Sequence, residues 1–303
     1  MTGIGQSVRI GTDQMTLSVV VVDVDGMPAL GECLGALGRQ RGGPETEIIV
    51  VSRRGVAEEL PGVRLVGVDA GTGIPAMRAR GLREARGEIV AFTEARCLAD
   101  ENWLAEMVQA QRPGYAGVGG PVEPGGLRRL VDWAVYLCEY SGAMLPIPAG
   151  EVGGLPGNNA AYRRAALAQI DEAVFGHYWE SFFQEELKQR GARFLSAPGM
   201  VVRKSKEFGF GYFLAQRFHF SRSFAGMRRA RLSAAARAAY VLGSPLLPAL
   251  MLGRIAGQVF AKRRFRREFL LSLPLLGAFL VSYTLGELTG YLAGAGESLA
   301  KVE

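Results

Sequence analysis

Residues 17–22, LSVVVV, decide the fold of this chain. An unbroken run of apolar, β-branched residues is typical of a strand that is buried on both faces of a parallel sheet. A helix is predicted directly after it, over residues 28–40, because Leu30, Leu34 and Leu37 fall on one face at helical spacing. The amino-terminal part therefore begins as a strand followed by a helix, the repeating unit of α/β proteins.

The same pattern continues outward from this unit. Strands are predicted over residues 47–51 (EIIVV), 63–68 (VRLVGV), 88–93 (EIVAFT) and 115–119, and helices over residues 75–85 and 103–111. Alternation at this short spacing predicts a mostly parallel sheet with right-handed crossovers and helices on its faces.

Ligands of such sheets bind beyond the carboxyl ends of the strands. The polar segments 23–26, 52–55 and 94–100 each follow an apolar strand and are the first places to expect a site. The sequence has no GxGxxG after the first strand and no GxxxxGK[ST], which argues against dinucleotide and P-loop chemistry.

Composition excludes several protein classes. Cys33, Cys97 and Cys138 are too few and too far apart for a disulfide scaffold, and with only His177 and His219 there is no zinc motif of Cys/His spacing. A hydrophobic fraction of 49% excludes a disordered chain. Residues 1–15 contain no apolar run, so we expect no signal peptide and a cytoplasmic amino-terminal part.

The charge is distributed unevenly. Residues 203–267 contain fifteen Lys and Arg but one acid, Glu207, so this strip carries +14 and the rest of the chain carries −8. Basic strips bind nucleic acid or anionic membrane surfaces. The apolar sequence beside the strip favours the membrane.

Two apolar stretches accompany the basic strip. Residues 269–286 (FLLSLPLLGAFLVSYTLG) contain no charge, and after Glu287 the apolar character resumes as far as residue 296. This length predicts a transmembrane helix, with a buried helix hairpin of a soluble domain as the alternative, since Pro274 and several glycines interrupt the run. Residues 238–253 are shorter, contain two prolines and are flanked by basic clusters on both sides.

Basic clusters on both flanks of residues 238–253 oppose a full crossing there, because positive residues remain on the cytoplasmic side. We therefore expect this first segment to be interfacial or re-entrant on anionic lipid, and the second to cross, which would leave residues 297–303 (ESLAKVE) outside. A hairpin with both ends in the cytoplasm is the alternative.

The ordered segments resemble family 2 glycosyltransferases, the inverting group with the GT-A fold. The resemblance runs over residues 17–230 and is carried by LSVVVVDVDGMPALGECLGALGRQ, EIIVVS, RARGLREARGEIVAFTEARCLADENWL, VGGPVE, LPGNNAAYRR and WESFFQEELKQRGARFLSAPGMVVRKS. It implies a short leader (1–16), a GT-A domain (17–230) and a basic interfacial and transmembrane helical region (231–303).

The resemblance also implies site residues, with departures from the family's pattern. The aspartate expected after the second strand is Ser52, the metal-binding DxD motif reads Glu94-Ala95-Arg96, and a histidine expected later is Arg203 or Lys204. The catalytic base of the family's "ED" pair falls on Glu180. We predict nucleotide-sugar contacts from Asp23, Asp25, Ser52, Arg53, Arg78, Glu94 and Arg96, and contacts to the sugar or acceptor from Asn158, Asn159 and Trp179.

These residues also have purely structural explanations. Asp23 and Asp25 could cap the following helix, Glu180 could be an ordinary acid in the first turn of a helix, and paired asparagines are common in turns. The QRFHF sequence at residues 216–220 resembles the QxxRW element of processive synthases, but a basic helix lying on lipid explains it as well.

The altered DxD motif predicts an altered way of stabilising the leaving group. A departing nucleoside diphosphate needs a cation, which the family supplies as Mg²⁺ or Mn²⁺. A guanidinium matches phosphate oxygens, so Arg96, aided by Arg53, Arg54 and Arg203, could take the place of the metal. We therefore expect weak or absent dependence on Mg²⁺ or Mn²⁺, with Glu94 as the one residue that could hold the ion.

The function expected from the resemblance is transfer of a sugar from a nucleotide-sugar donor to a lipid-linked or glycan acceptor. It would take place at the cytoplasmic face of the inner membrane, in cell-envelope polysaccharide or glycolipid assembly. The alternative is a catalytically silent relative that acts as a binding or scaffold subunit. Nucleic-acid binding through the basic strip is opposed by the acidic body and the adjoining apolar segments.

Overall fold

The computed structural model describes residues 16–54, 61–205 and 207–302. The strands are β1 Leu17–Asp23, β2 Thr46–Ser52, β3 Val63–Gly67, β4 Ile89–Glu94, β5 Cys97–Ala99, β6 Gly117–Gly119, β7 Val122–Pro124, β8 Gly150–Val152, β9 Ala160–Arg163, β10 Phe194–Ser196 and β11 Val202–Lys204. The α-helices are α1 Ala29–Gly38, α2 Ile74–Glu84, α3 Trp103–Ala110, α4 Leu130–Tyr140, α5 Arg164–Leu167, α6 Glu172–His177, α7 Glu180–Gln189, α8 Phe210–Arg229, α9 Ala234–Gly243, α10 Leu247–Lys262 and α11 Arg266–Ala293.

Strand β1 lies at the centre of the parallel half of an eight-stranded sheet with the order β3-β2-β1-β4-β9-β6-β10-β8. It pairs in parallel with β2 and β4, and β2 pairs in parallel with β3. The register sets Asp23 opposite Ser52 and Val22 opposite Glu94, so these strands end at one edge of the sheet. This confirms the α/β prediction, and the predicted strands and helices begin and end within two residues of those observed.

Alternate residues of β1 face opposite sides of the sheet. Val19 and Val21 pack into one hydrophobic cluster, whereas Val20 and Val22 pack into the other. All four are buried. The continuous apolar run is therefore the consequence of a strand covered on both faces, since side chains alternate with a period of two.

A second, three-stranded sheet has the order β5-β11-β7. Its middle strand runs antiparallel to β5, with Lys204 opposite Cys97. The Ser205 N–H donates to the Arg96 carbonyl at 3.0 Å, which continues this pairing. The small sheet thus brings Lys204 to the carboxyl end of β4, although more than 100 residues separate them in sequence.

Two segments near the carboxyl terminus are long and apolar enough to cross a membrane, judged by length and composition alone. One is residues 234–262, in which α9, a 3₁₀ turn (Ser244–Leu246) and α10 follow one another, and the other is α11. Helix α11 runs parallel to α8 in close contact, since a side chain on Gly286 would clash with the Phe218 carbonyl. Ser282 Oγ donates to the Leu214 carbonyl of α8 at 2.7 Å.

Both ends of α11 are held against the α/β body. Before its first turn, Arg264 forms a 2.7 Å ion pair with Glu123, and Lys262 donates to the Gly142 carbonyl at 2.8 Å. After its last turn, Ser298 is hydrogen-bonded to His219, and Val302 is buried in the core cluster that contains Ile74.

These contacts correct the predicted topology. The prediction that residues 297–303 lie across a membrane from the body is wrong, because Ser298 and Val302 pack on the body itself. The alternative, a crossing hairpin with both ends on the body's side, is also wrong, because the turn at residues 262–265 contacts the body too. The division at residue 230 stays a prediction, and residues 1–15 of the predicted leader and residue 303 lie outside the described residues.

Candidate functional site

A cleft of about 660 Å³ opens at the carboxyl ends of β1 and β4. Side chains of α2, α4, α7, α8 and α10 form its walls. Seven of the residues predicted to bind donor or acceptor line it, namely Asp25, Arg78, Glu94, Arg96, Asn158, Trp179 and Glu180. The structure therefore gathers residues that lie far apart in sequence into one site.

Arg78 connects the two sides of the cleft. Its guanidinium forms an ion pair with Glu180 (Nη1–Oε2 2.9 Å) and approaches Glu94 (Nη2–Oε1 3.6 Å). Only 6% of the Arg78 side chain is exposed, whereas Glu94 and Glu180 expose 22% and 28% of theirs. The buried Arg78 guanidinium thus lies between the carboxylates of Glu94 and Glu180, and both carboxylates remain accessible from the cleft.

Lys204 is the second cation on Glu94. Its Nζ lies 2.5 Å from Glu94 Oε2, and the side chain is almost fully buried. Burial by itself would lower the pKa of Lys204, but the Cys97 thiol, the Glu94 carboxylate and Tyr140 outweigh it and raise the pKa above that of an ordinary lysine. The side chain is therefore a permanent positive charge at neutral pH.

The same strand decides between the two candidates for the family's histidine position. Arg203 points away from the cleft and forms a bidentate pair with Asp100 (2.9 and 3.0 Å) on the exposed surface. Side chains alternate along a strand, so Lys204 faces Glu94 instead. Arg203 is accordingly removed from the set of residues predicted to act in place of a metal.

Arg96 lies in the cleft beside Asp25. Its Nε is 3.3 Å from Asp25 Oδ2, and 31% of the side chain is exposed. A guanidinium that is partly exposed and held by an ion pair of 3.3 Å can turn towards an incoming phosphate at low cost. The predicted Arg54 does not share this environment, since its Nε donates to the Val24 carbonyl on the surface.

Glu180 is the first residue of α7, as predicted. The amino-terminal end of a helix stabilises a carboxylate, because the first backbone N–H groups are unpaired within the helix. Gly157 faces this carboxylate, and a Cβ atom at position 157 would come within 2.6 Å of Glu180 Cδ. A side chain at position 157 would therefore displace the Glu180 carboxylate from its place between Gly157 and Arg78.

Two residues predicted to contact the nucleotide lie outside the cleft lining. Asp23 is completely buried and accepts hydrogen bonds from the Gly26 N–H (2.8 Å) and from Ser52 Oγ (2.7 Å). Ser52 is equally buried and does not line the cleft. Both side chains join the ends of β1 and β2, and their nucleotide contacts stay predictions. Arg53 donates to the Thr72 carbonyl at 2.6 Å, outside the cleft lining, and its donor contact stays a prediction.

Of the paired asparagines, one is buried in the core and the other lines the cleft. Asn159 is fully buried, with its amide donating to the Pro121 and Met200 carbonyls and its Oδ1 accepting from Trp103 Nε1. The Asn159 amide is therefore used within the protein core, and its sugar contact stays a prediction. Asn158 lines the cleft and donates to the Tyr140 hydroxyl at 3.1 Å.

Trp179 also lines the cleft, but its indole N–H is used within the protein. Nε1 donates to Ser223 Oγ at 3.1 Å, and the ring packs on Phe220 of α8 at 4.9 Å between centroids. Trp179 thus packs on α8 just before α7, whose first residue is Glu180.

The cleft also contains an ion pair of Arg217 with Glu139, a residue that sequence reasoning missed. Arg217 of α8 lies 2.6 Å from Glu139 of α4, and both line the cleft with little exposure. Helix α4 has the aromatic and apolar spacing of a core helix, so nothing in its sequence marks Glu139. Arg254 of α10 lines the same side, and only the fold places it there.

The side chains that line the cleft do not form a coordination site for a divalent cation. Among the described ranges 16–54, 61–205 and 207–302, no three His, Cys, Asp or Glu side chains are grouped so as to hold a metal. Glu94, the residue predicted as a ligand, already pairs with Lys204 and Arg78. A hard cation such as Mg²⁺ needs several oxygen ligands in a defined geometry, and these residues do not provide them.

The sequence of the chain matches a known protein family. The model of glycosyl transferase family 2 matches residues 18–171, just over half of the chain. The chain belongs to this family. The match includes Asp25, Arg78, Glu94, Arg96 and Asn158, whereas Glu180 and Lys204 lie beyond it. A comparison with curated protein sequences yields no match.

The fold of this family 2 glycosyltransferase resembles solved structures. The mannosyltransferase PcManGT from Pyrobaculum calidifontis, solved with GDP-Man and Mn²⁺, is 18% identical, with a TM-score of 0.57 over 91% of this chain and 88% of that one. TarS 1–349 from S. aureus, solved with UDP, is 13% identical, with a TM-score of 0.48 over 91% of each chain. The family match and the likeness to PcManGT show a glycosyltransferase with the GT-A fold.

Proposed function

We propose that the chain transfers a sugar from a nucleoside-diphosphate sugar with inversion, using Glu180 as the general base. The acceptor oxygen attacks the anomeric carbon while Glu180 takes its proton. The bond between that carbon and the diphosphate oxygen breaks, and the nucleoside diphosphate leaves with the bonding electrons. A carboxylate at hydrogen-bonding distance from the acceptor is what such a step requires. In the resting site, Arg78 holds Glu180 in place at 2.9 Å.

The observation that carries this proposal is the Lys204–Glu94 pair at 2.5 Å. The leaving diphosphate develops negative charge, which fixed positive groups stabilise most strongly where water is excluded. Lys204, Arg78 and Arg96 supply three such groups around the position of the DxD motif. An ammonium has three N–H donors, and the bond to Glu94 uses one of them. We infer that this cluster performs the role for which a metal ion is used elsewhere, with Arg96 as one member.

We propose a lipid-linked acceptor and a place at the cytoplasmic face of the membrane. The far wall of the cleft is formed by Phe220, Met251 and Ile255, with Arg217 and Arg254 beside them. Apolar side chains next to two guanidinium groups suit an acceptor with a hydrocarbon part and a phosphate. The net charge of +14 over residues 203–267 supports association with anionic lipid.

Donor screening on the purified full-length chain tests this function. Each UDP- and GDP-linked sugar is incubated with a polyprenyl phosphate in detergent, and nucleotide release and the glycosylated lipid are both quantified. We expect one donor class to give both products in equal amounts. Donor binding measured by calorimetry without any release would overturn the proposal in favour of a binding subunit.

A further inference from the structure

The two apolar carboxyl-terminal segments present their exposed residues as a continuous stripe. On α11 the exposed large side chains recur at helical spacing, namely Leu270, Leu271, Val281, Leu285 and Leu292. On residues 234–262 the corresponding side chains are Leu242, Leu246 and Leu250, and Leu242 is 81% exposed. Leucines exposed to this extent in a row are unusual on a soluble surface and mark an interaction site.

The two segments pack side by side as an antiparallel hairpin, here called the apolar hairpin (residues 234–293). Tyr240 stacks on Tyr291 near one end, and Phe260 packs on Phe269 near the other. The opposite face of α11 is covered by α8 and α4, where Leu276 and Phe279 are buried. One face of the apolar hairpin is therefore part of the protein core, while the other is open.

This arrangement is incompatible with a crossing helix. A 28-residue helix is about 42 Å long, and both ends of α11 contact the same α/β body, through Arg264–Glu123 at the start and His219–Ser298 at the end. A bilayer that surrounded α11 would have to occupy the space filled by α8 and α4. The helix therefore lies along the body for its whole length.

Exposed arginines at both ends of the apolar hairpin indicate which kind of partner covers its open face. Arg263, Arg266 and Arg267 are exposed at the turn of the apolar hairpin, and Arg231 is exposed just before its first helix. Apolar stripes with arginine at both ends are typical of helices that lie in the headgroup region of anionic membranes. Each basic residue near such a surface adds to the binding free energy.

We propose that the apolar hairpin is a monotopic membrane-binding surface, which lies flat in the headgroup layer of an anionic bilayer with no segment crossing it. This rests on the membrane association proposed above but not on the transfer chemistry. Because Met251, Arg254 and Ile255 belong both to this hairpin and to the wall of the cleft, the cleft then opens at the bilayer surface.

Vesicle binding tests the partner. The full-length chain is sedimented with phosphatidylglycerol vesicles and with phosphatidylcholine vesicles, and we expect binding to the anionic vesicles only. The double variant Leu246→Glu/Leu250→Glu should bind at least about tenfold more weakly, because buried apolar area sets the affinity. Leu130→Glu, at an exposed leucine of α4 (41%) outside the apolar hairpin, is the control and should bind normally.

Side-specific labelling tests the topology. Arg267→Cys and Glu297→Cys place a thiol at each end of α11, and inverted membrane vesicles expose the cytoplasmic face to a membrane-impermeant maleimide. We expect both thiols to react without detergent. Protection of either thiol until detergent is added would show a crossing and overturn the proposal.

Two other results would also overturn it: no sedimentation with phosphatidylglycerol vesicles, or a stable dimer that is lost in Leu246→Glu/Leu250→Glu. The first result would remove membrane association as well. Absence of sugar transfer would leave both readouts unaffected, so failure of the chemistry is distinguishable from failure of this inference.

Discussion

Two corners of the sheet edge contain a carboxylate at the end of a buried strand, yet they differ in what they can do. At the β1–β2 corner, Asp23 is fully buried and bonds to neutral donors, the Gly26 N–H and Ser52 Oγ. At the β4–β11 corner, Glu94 is partly exposed and pairs with Lys204 and Arg78. A carboxylate at the end of a strand can therefore either hold two strands together or form part of a charged site. Which of the two it does depends on whether its hydrogen-bonding partners are neutral or positively charged.

The largest effect on activity is expected for substitution of Glu180, which Arg78 links to Glu94 at the β4–β11 corner. Without its base, the Glu180→Gln variant should lose about 10²- to 10⁴-fold in kcat while it still binds donor. Glu185→Gln on the same helix is the control, since Glu185 pairs with Lys188 on the surface. Normal turnover of Glu180→Gln, measured as nucleotide release, would remove Glu180 from the mechanism.

Matched carboxamide variants compare the two corners directly. Glu94→Gln should lower kcat per folded molecule about tenfold to 10³-fold, because it disturbs the cation cluster, and should also lower the free energy of unfolding, because the buried Lys204 loses its carboxylate partner. Asp23→Asn should lower the free energy of unfolding by about 1–2 kcal/mol and leave kcat per folded molecule close to wild type. Unfolding curves and initial rates on the same samples separate the two effects. Equal loss of activity in both variants would erase the distinction.

The paired asparagines give a smaller contrast of the same kind. Asn159→Ala leaves Trp103 Nε1 and two carbonyls without their buried partner, and should cost about 2–4 kcal/mol of stability. Asn158→Ala loses one hydrogen bond to the Tyr140 hydroxyl and should cost about 1 kcal/mol or less. Chemical denaturation measures both differences, and a larger loss for Asn158→Ala would contradict the assignment of roles.

The smallest effect expected is that of pH on the charged corner. The pKa of Lys204 is raised in the folded protein, so its stabilising contribution is complete below the pKa of an unfolded lysine and is lost only as pH rises through the folded value. Between about pH 7 and pH 10, the difference in Tm between wild type and Lys204→Gln should therefore stay constant. A difference that shrinks across this range would mean that Lys204 titrates there.

The sequence predicts the sheet well because the signal is local: a doubly buried strand such as β1 has to be apolar throughout. It predicts the positions of Arg78, Arg96 and Glu180 through the order of family segments. It does not reveal that Asp23 and Asn159 face inward, because a buried clasp and a ligand contact require the same polar residue types. Nor does it pair Lys204 with Glu94, 110 residues away, since the register between β11 and β5 brings these two residues together.

The orientation of the apolar hairpin also depends on contacts that the sequence pattern does not reveal. Hydrophobic length alone predicts a crossing helix, because about 20 apolar residues are enough to span a bilayer. Contacts between distant parts of the chain, at Arg264–Glu123 and at His219–Ser298, argue against a crossing. Such contacts leave no periodic trace in the sequence.

The most direct test of the account is the rate of nucleotide release by wild type, Lys204→Gln and Arg203→Gln, each with and without EDTA. Arg203 is the neighbouring strand residue that pairs with Asp100 outside the cleft, so it controls for loss of a nearby positive charge. We expect wild type and Arg203→Gln to be active and unaffected by EDTA, and Lys204→Gln to be slower by about 10²- to 10³-fold. Wild-type activity that disappears in EDTA and returns with Mn²⁺, together with a normal rate for Lys204→Gln, would contradict the account.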